Sequence, residues 1–291
     1  MSEIREHEPK KEQEHWKSWT VSVMSASSNE NKYAIENAHA IGQILAEKGY
    51  DAINGGYGVG GMGAFANGFR EQCRAMSFSD SEIEKHLKGV VYSEKVIGQA
   101  LAKKRTINTT ATITSGDSLA ERAGGIIKGS DAVIAVEGGL GTNIEALMSA
   151  QDEWFKERNE DKKLPTRPLI LIESTNMIER TIELCEKLSP KTIDSLTSHI
   201  YVLSGYSNPD RQSGGLDMAT LRNDPRMAKK LEMLLEMYYL RSLGEKINTE
   251  QREREQELEG LLLKDGSEFK VMTIKEKLLA KQTMHGEGEG I

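Results

Sequence analysis

The sequence predicts an α/β protein with a Rossmann-like, doubly wound and mostly parallel sheet, helices on both faces and a C-terminal helical extension. Short apolar or β-branched segments alternate with segments whose apolar residues recur at helical spacing, as expected for a parallel sheet covered by helices. Residues 131–136 are almost entirely apolar, which favours a strand buried on both faces. Small-residue loops over 25–28, 55–63 and 138–142 follow predicted strands, and ligands bind at the carboxyl ends of strands in such sheets.

The first part of the chain contains two strand–helix units and two further strands. The first helix carries apolar residues at 3.6-residue spacing, and Gly49 ends it. In chain order we predict a strand over 19–24, the helix ended by Gly49, a strand over 51–54, a helix over 62–73, a polar loop over 77–84, a strand over 89–92 and a strand within 106–114.

The alternation continues to about residue 205. We predict a helix over 118–129, the buried strand 131–136, an amphipathic helix through Trp154, a central strand over 168–172 and a helix over 175–188. These elements belong to a predicted nucleotide-binding domain over 18–205, which follows a charged mobile arm over 1–17.

Beyond this domain we predict a helical extension over 206–291 with a disordered tail. Asp224 caps a helix that has Pro225 at its first position and ends before Gly244. Its stripe of Met and Leu residues favours the core of the same subunit over a surface that extends a dimer interface. Residues 250–259 are mostly charged.

Composition excludes several functional classes. The net charge of −7 argues against a general nucleic-acid-binding surface, and no apolar run is long enough to span a bilayer. The charged N-terminal segment has no apolar run typical of a signal peptide, and the chain has only two cysteines, so we expect a cytoplasmic protein. The scattered histidines form no zinc motif, and we expect neither a metal nor another cofactor.

The first glycine-rich turn, residues 55–63, contains the pattern GxGxxG twice. Its glycines and the following helix N-terminus suit a phosphate, because glycine permits close approach and the helix presents unpaired N–H groups. We disfavour a dinucleotide fingerprint, since the turn follows the second strand and the polar loop 77–84 stands where a ribose-binding acid should end a strand. A tight strand-to-helix turn without a ligand is an equally good interpretation of this segment alone.

The second glycine-rich turn, Gly138–Thr142, joins the buried strand 131–136 to a helix. Thr142 is placed to cap that helix or to bind a phosphate, and Glu145 lies three residues later. Taken alone, this segment favours a capping box, in which Glu145 binds the backbone N–H of the cap.

The segment Glu137-Gly-Gly-Leu-Gly-Thr-Asn-Ile-Glu145 resembles the PGGxGTxxE motif of the Lonely Guy family, phosphoribohydrolases often misnamed lysine decarboxylases. The family's upstream motif MHxRK matches residues 119–123, which places its arginine at Arg122, at the separation from Glu145 that the family shows. Its GSS loop and its GGGxxGLMG segment resemble residues 25–28 and 55–63. The resemblance covers about residues 19–188.

The resemblance implies cleavage of the N-glycosidic bond of a nucleoside 5′-monophosphate, which gives a free base and ribose 5-phosphate. It assigns to Glu145 the stabilisation of, or attack on, an oxocarbenium-like ribose, while Arg122 binds the phosphate or orients Glu145. It also implies a homodimer or a higher homo-oligomer. The implied ligand-binding residues are Ser25, Ser27, Gly56, Gly58, Met62, Gly138, Gly139, Gly141 and Thr142.

Departures from the family keep a second hypothesis open. The family's proline is Glu137 here, and the histidine and lysine of MHxRK are Ala120 and Ala123. These changes, with the longer C-terminal region, favour the alternative of a non-catalytic module that binds or senses a nucleotide or an NAD derivative. An NAD-dependent oxidoreductase is a weaker hypothesis, because the sequence provides no identifiable ribose-binding acid and no catalytic His or Tyr.

Overall fold

The structure is a computed structural model of the chain. It describes residues 15–26, 31–91, 111–114, 118–136, 138–158, 167–173, 199–204, 220–264, 267–268 and 270–277. Among these residues no helix is both long and apolar enough to cross a membrane. The predicted helix over 175–188 and the predicted tail over 285–291 lie outside the described residues.

The described strands form one sheet in the order β4-β3-β2-β1-β5-β6-β7-β8. All neighbouring strands pair in parallel except β7 and β8, which are antiparallel. The strands are β1 (Lys17–Met24), β2 (Tyr50–Asn54), β3 (Leu87–Val91), β4 (Ala111–Thr114), β5 (Ala132–Val136), β6 (Leu169–Glu173), β7 (Ile200–Ser204) and β8 (Met272–Thr273).

Helices connect these strands and extend the chain beyond β7. They are α1 (Lys32–Glu47), α2 (Gly60–Ala75), α3 (Asp80–His86), α4 (Leu119–Lys128), α5 (Leu140–Arg158), α6 (Pro225–Ser242) and α7 (Thr249–Leu262), with a short 3-10 turn at Gly244–Lys246. The predicted fold class is confirmed by this mostly parallel sheet and its helices.

Helices cover both faces of the sheet, because alternate strand residues enter two separate apolar clusters. In β5, Ile134 packs into a cluster that also contains residues of α1, α2, α6 and α7. Its neighbours Val133 and Ala135 pack into the other cluster, with residues of α4 and α5. The continuous apolar character of β5 is therefore explained by burial on both sides.

The strand order creates a switch point between β1 and β5. The chain adds β2, β3 and β4 on one side of β1 and then continues with β5 on the other side. The connections leaving β1 and β5 therefore diverge, and a crevice opens between the carboxyl ends of these strands. This is the place where the small-residue loops were expected to meet.

Several segments differ from the sequence-based predictions. The predicted polar loop over 77–84 is wrong in its second half, where α3 begins at Asp80 after a capping box formed by Ser79 and Glu82. The strand β7 was not predicted. Lys17, assigned from the sequence to the N-terminal arm, is the first residue of β1, and the preceding Trp16 stacks on His86 with 3.8 Å between ring centroids.

The C-terminal helices pack on the same sheet. Asp224 caps α6 as predicted, since its side chain accepts hydrogen bonds from the backbone N–H groups of Arg226 and Met227. The apolar stripe of α6 is buried within the subunit, as the favoured interpretation expected. The charged segment over 250–259 is helical, and ion pairs such as Arg254–Glu236 join α7 to α6.

Close packing of α1 against α2 depends on glycine. A Cβ atom at Gly42 would overlap Phe65 O and lie 2.7 Å from Phe69 N, and both are backbone atoms that cannot turn away. We therefore expect Gly42→Ala to lower the free energy of unfolding by about 1–3 kcal/mol, measured by urea denaturation.

The matched control is Gly260→Ala in α7, where the nearest atom to the new Cβ is Lys264 Nζ at 4.0 Å. Alanine there should raise the free energy of unfolding by up to about 1 kcal/mol, because it favours the helix. Equal effects at the two sites would contradict the packing described for α1 and α2.

Candidate functional site

Three loops meet at the carboxyl edge of the sheet beside the switch point. The backbone N–H of Gly61, at the start of α2, donates a hydrogen bond to Ala26 O after β1 at 2.9 Å. A Cβ atom at Gly138, after β5, would lie 3.1 Å from Ala26 N. Ala26 therefore lies next to both glycine-rich turns, as the sequence-based strand assignments imply.

Asn54, the last residue of β2, fixes the first glycine-rich turn. Its fully buried side chain donates to Met62 O at 3.1 Å and accepts from the N–H of Gly56 at 2.8 Å. Gly56 has a φ of +74°, a conformation that favours glycine. Sequence reasoning missed Asn54, although a polar residue that ends a buried strand just before glycines was a usable signal.

At several glycines of the first turn, protein atoms occupy the space that a side chain would need. A side chain at Gly55 would overlap the Arg122 guanidinium, and one at Gly56 would overlap Val91 on β3. At Gly61 a Cβ would lie 2.8 Å from Ser25 Cβ. This turn therefore needs glycine for its own packing, and Gly58 lies half-buried within it.

Arg122, on α4, reaches across the carboxyl edge. Its Nε donates to Val90 O at 3.1 Å, and its Nη2 donates to Gly55 O at 3.1 Å. The same Nη2 lies 3.7 Å from Met62 Sδ, and the Tyr57 ring faces the guanidinium with its centroid 5.2 Å from Cζ. The predicted site residue Met62 thus contacts Arg122.

Arg122 and Glu145 form a buried ion pair. Arg122 Nη1 donates to Glu145 Oε1 at 2.9 Å, and the two residues are 6% and 5% exposed. Burial raises the pKa of the Glu145 carboxyl, and the nearby guanidinium opposes this rise. Within the described part of the chain, Oε2 of Glu145 accepts no hydrogen bond.

The capping box that this segment favours when taken alone does not form at Thr142 and Glu145. Helix α5 begins at Leu140, and Gly139 O accepts the first helical hydrogen bond from Asn143 N at 3.3 Å. Thr142 therefore lies buried inside the first turn and does not cap the helix. Glu145 lies further along the helix, and its carboxylate is bound by Arg122.

The second glycine-rich turn differs from the first, because two of its glycines face open space. Gly138 has no room for a side chain, since a Cβ would overlap Thr142 Oγ1. A Cβ at Gly139 or Gly141, by contrast, would meet no described atom within 4 Å, and neither residue has a positive φ. The N-terminus of α5 is therefore open, and its unpaired N–H groups and positive dipole end suit an anion.

Ser25 lies between the two turns. It is 6% exposed, and its hydroxyl has no hydrogen-bond partner among the described residues. A buried hydroxyl in this state is unfavourable unless a ligand or water pairs with it. Ser27, which also belongs to the predicted site, and Glu137, which replaces the family's proline, lie outside the described residues.

Within the described ranges, no group of three or more His, Cys, Asp or Glu residues is arranged so that it could hold a metal ion. Thus the chemistry available at this edge rests on a buried carboxylate, a guanidinium, an exposed helix N-terminus and a buried hydroxyl.

No protein-family model matches the chain, and no curated protein matches it in sequence. Membership of the Lonely Guy family therefore stays a prediction.

Solved structures that resemble this one match it at low identity and with TM-scores below 0.5. The molybdenum cofactor binding protein from Rippkaea orientalis is 21% identical, with a TM-score of 0.45, over 65% of this chain and 90% of that one. The molybdenum cofactor carrier protein from Chlamydomonas reinhardtii is 15% identical, with a TM-score of 0.43, over 65% of this chain and 91% of that one. DNA processing protein A from Helicobacter pylori is 16% identical, with a TM-score of 0.38, over 58% of this chain and 72% of that one.

The ion pair makes Arg122 important for stability. We expect Arg122→Met to lower the free energy of unfolding at neutral pH by roughly 3–5 kcal/mol, because it leaves Glu145 buried without a counter-charge. Urea denaturation measures this change. Since burial already raises the pKa of Glu145, protonation removes the orphaned charge as the pH falls, and the loss should shrink in acid.

Arg74→Met is the matched control, because the Arg74–Asp80 pair is exposed. This variant should lower the free energy of unfolding by about 0–1 kcal/mol. A loss at Arg122 no larger than at Arg74, or one that grows as the pH falls, would contradict the coupling of Arg122 to a buried carboxylate.

Proposed function

We propose that this protein hydrolyses the N-glycosidic bond of a nucleoside 5′-monophosphate to a free base and ribose 5-phosphate. The observation that carries the proposal is the buried 2.9 Å pair of Arg122 and Glu145, on the helix whose open N-terminus follows β5. A carboxylate held one or two helical turns from an anion site suits a sugar phosphate, since the phosphate and the reacting carbon are separated by a few bonds.

The phosphate would bind at the N-terminus of α5. Gly139 and Gly141 leave the approach open, while Gly138 and Thr142 form a packed floor. Backbone N–H groups and the helix dipole would supply the attraction for the anion. The Ser25 hydroxyl, which has no partner among the described residues, is available to a ribose hydroxyl or a phosphate oxygen.

Glu145 would act on the ribose. As the bond from C1′ to the base nitrogen breaks, positive charge develops on C1′ and the ring oxygen, and a carboxylate stabilises it or attacks C1′. Water then supplies the hydroxyl on C1′, and the base leaves with a proton. Oε1 is held by Arg122, while Oε2 accepts no hydrogen bond in the described ranges and is left to face the reacting carbon.

Arg122 would act as a positioning residue. Its side chain donates hydrogen bonds to Val90 O, Gly55 O and Glu145 Oε1. These contacts favour orientation of Glu145 over direct binding of the phosphate, two roles that the sequence left open. The positive charge also favours the ionised carboxylate that the reaction requires.

A homodimer, implied by the family resemblance, belongs to this proposal. The apolar stripe of α6 is buried inside the subunit, so the interface would use other surfaces.

The alternative is a non-catalytic module that binds the same class of ligand. The observation that favours it lies on α4, where Ala120 is exposed and Ala123 is buried in the apolar core. Neither position provides the basic side chain that the Lonely Guy motif carries. Nucleotide binding without release of base would support this alternative.

The proposed activity is tested by incubating the protein with AMP, GMP, CMP and UMP and measuring free base and ribose 5-phosphate by chromatography. We expect release from at least one nucleotide, and a loss of at least 100-fold (an order-of-magnitude expectation for a transition-state contact) in Glu145→Gln. The control is Glu245→Gln, the same change at an exposed position. Absence of release from all four, or equal rates in the two variants, would contradict the proposal.

The rate should depend on ionisation of Glu145. Because burial raises the pKa of this carboxyl, the rate should rise with pH through a midpoint above the ordinary Glu value of about 4.3. Arg122→Gln removes the opposing positive charge and should move this midpoint to still higher pH. A midpoint that stays in place or moves down, in a variant whose circular dichroism matches wild type, would contradict the pairing.

A further inference from the structure

Leu140 is a large apolar side chain left in water at the candidate site. It is 75% exposed, and no other large hydrophobic side chain among the described residues is exposed. It is the first residue of α5 and lies between the exposed glycines Gly139 and Gly141. A polar residue at this position would maintain the helix equally well, so the fold provides no reason for leucine.

Helix geometry directs Leu140 over the anion site. Side chains of an α-helix lean toward its N-terminus, so the side chain of a first residue projects past the end of the helix. An anion bound by the N–H groups of α5 would lie in that region. Because a Cβ at Gly139 or Gly141 would meet no described atom within 4 Å, space for a ligand remains on both sides of Leu140.

Ser25 gives a second, independent indication of a ligand. Its hydroxyl is buried without a partner among the described residues, and the next residue, Ala26, has its N atom 3.1 Å from the Cβ position of Gly138. A buried hydroxyl without a described partner, an open helix N-terminus and an exposed leucine thus lie on neighbouring segments at one edge of the sheet. This combination suits a ligand with an anionic end, hydroxyl groups and a flat apolar part.

We propose that Leu140 packs against the base of the bound nucleotide and makes the site selective for purine over pyrimidine monophosphates. The inference rests on the proposed function, since it takes a nucleoside monophosphate as the ligand. A purine has the larger apolar face and covers more of an exposed leucine, and the free energy gained scales with the apolar area removed from water. The phosphate does not contribute to this selectivity, because it is common to all nucleotides.

A second copy of the chain is a less suitable occupant. A stable interface buries about 1,200–2,000 Å² in total, and a single leucine side chain surrounded by glycines supplies a small part of that area. The described residues contain no other exposed large apolar side chain that would extend the patch.

The test is titration calorimetry with carbocyclic AMP, carbocyclic UMP and ribose 5-phosphate. The carbocyclic ring lacks the oxygen that an oxocarbenium ion needs, so these nucleotides bind without being hydrolysed. We expect wild type to bind carbocyclic AMP more tightly than carbocyclic UMP. Leu140→Ala should weaken the binding of carbocyclic AMP about tenfold and that of carbocyclic UMP less. The affinity for ribose 5-phosphate should stay unchanged.

Leu263→Ala, at a half-buried position after α7, is the matched control and should leave all three affinities unchanged. Unchanged affinity for carbocyclic AMP in Leu140→Ala, or an equal loss for ribose 5-phosphate, would overturn the proposal. A change of oligomeric state in Leu140→Ala, measured by light scattering, would also overturn the proposal. It would show that Leu140 packs against a second copy of the chain.

Failure of the proposed function is recognised separately. Tight, Leu140-dependent binding of carbocyclic AMP together with no release of base from AMP supports the role of Leu140 and counts against hydrolysis. Release of base from AMP with no effect of Leu140→Ala on binding supports hydrolysis and counts against the role of Leu140. Absence of binding to wild type by all three ligands would overturn the role of Leu140.

Discussion

The buried contact between Arg122 and Glu145 is the interaction on which the carboxyl edge of this sheet depends. Removing two charges from water is costly, and the cost is offset only when the remaining polar atoms are also paired. On the arginine side this condition is met, because Arg122 donates to Val90 O near the end of β3 and to Gly55 O directly after β2. One guanidinium thereby joins α4, α5 and the ends of two strands.

This constraint explains why the two glycine-rich turns have different roles. At Gly55 the guanidinium occupies the space of a side chain, so the first turn is glycine-rich because it packs around Arg122 and against β3. At Gly139 and Gly141 nothing in the described structure occupies that space. The turn that resembles a dinucleotide fingerprint is thus a wall of the crevice, and the open N-terminus of α5 is the part suited to a ligand.

The sequence was informative wherever burial is strong. The apolar run of β5 and the spacing of apolar residues in α1 predicted a parallel sheet with helices, and the family resemblance placed Arg122 and Glu145 together. Local patterns were weaker guides. Thr142 and Glu145 have capping-box spacing, yet Glu145 is held by a residue distant in sequence, and no local pattern contains that contact.

The elements missed have physical explanations. Helix α3 is short and was marked only by the capping residues around Asp80. Helix α7 lies within the predicted helical extension, but its bounds were not predicted, because it lacks an apolar stripe. Ion pairs such as Arg241–Glu255 and Arg254–Glu236 hold much of it against α6. Strand β8 has two residues and pairs antiparallel with β7, so its position is determined by tertiary packing.

A crystal structure of the protein with carbocyclic AMP bound tests the central claim most directly. The account predicts the phosphate at the N–H groups of the first turn of α5, the Arg122–Glu145 pair intact, and Glu145 Oε2 facing C1′ of the nucleotide. A nucleotide bound elsewhere, or bound with Glu145 turned away from C1′ and engaged only with Arg122, would contradict it.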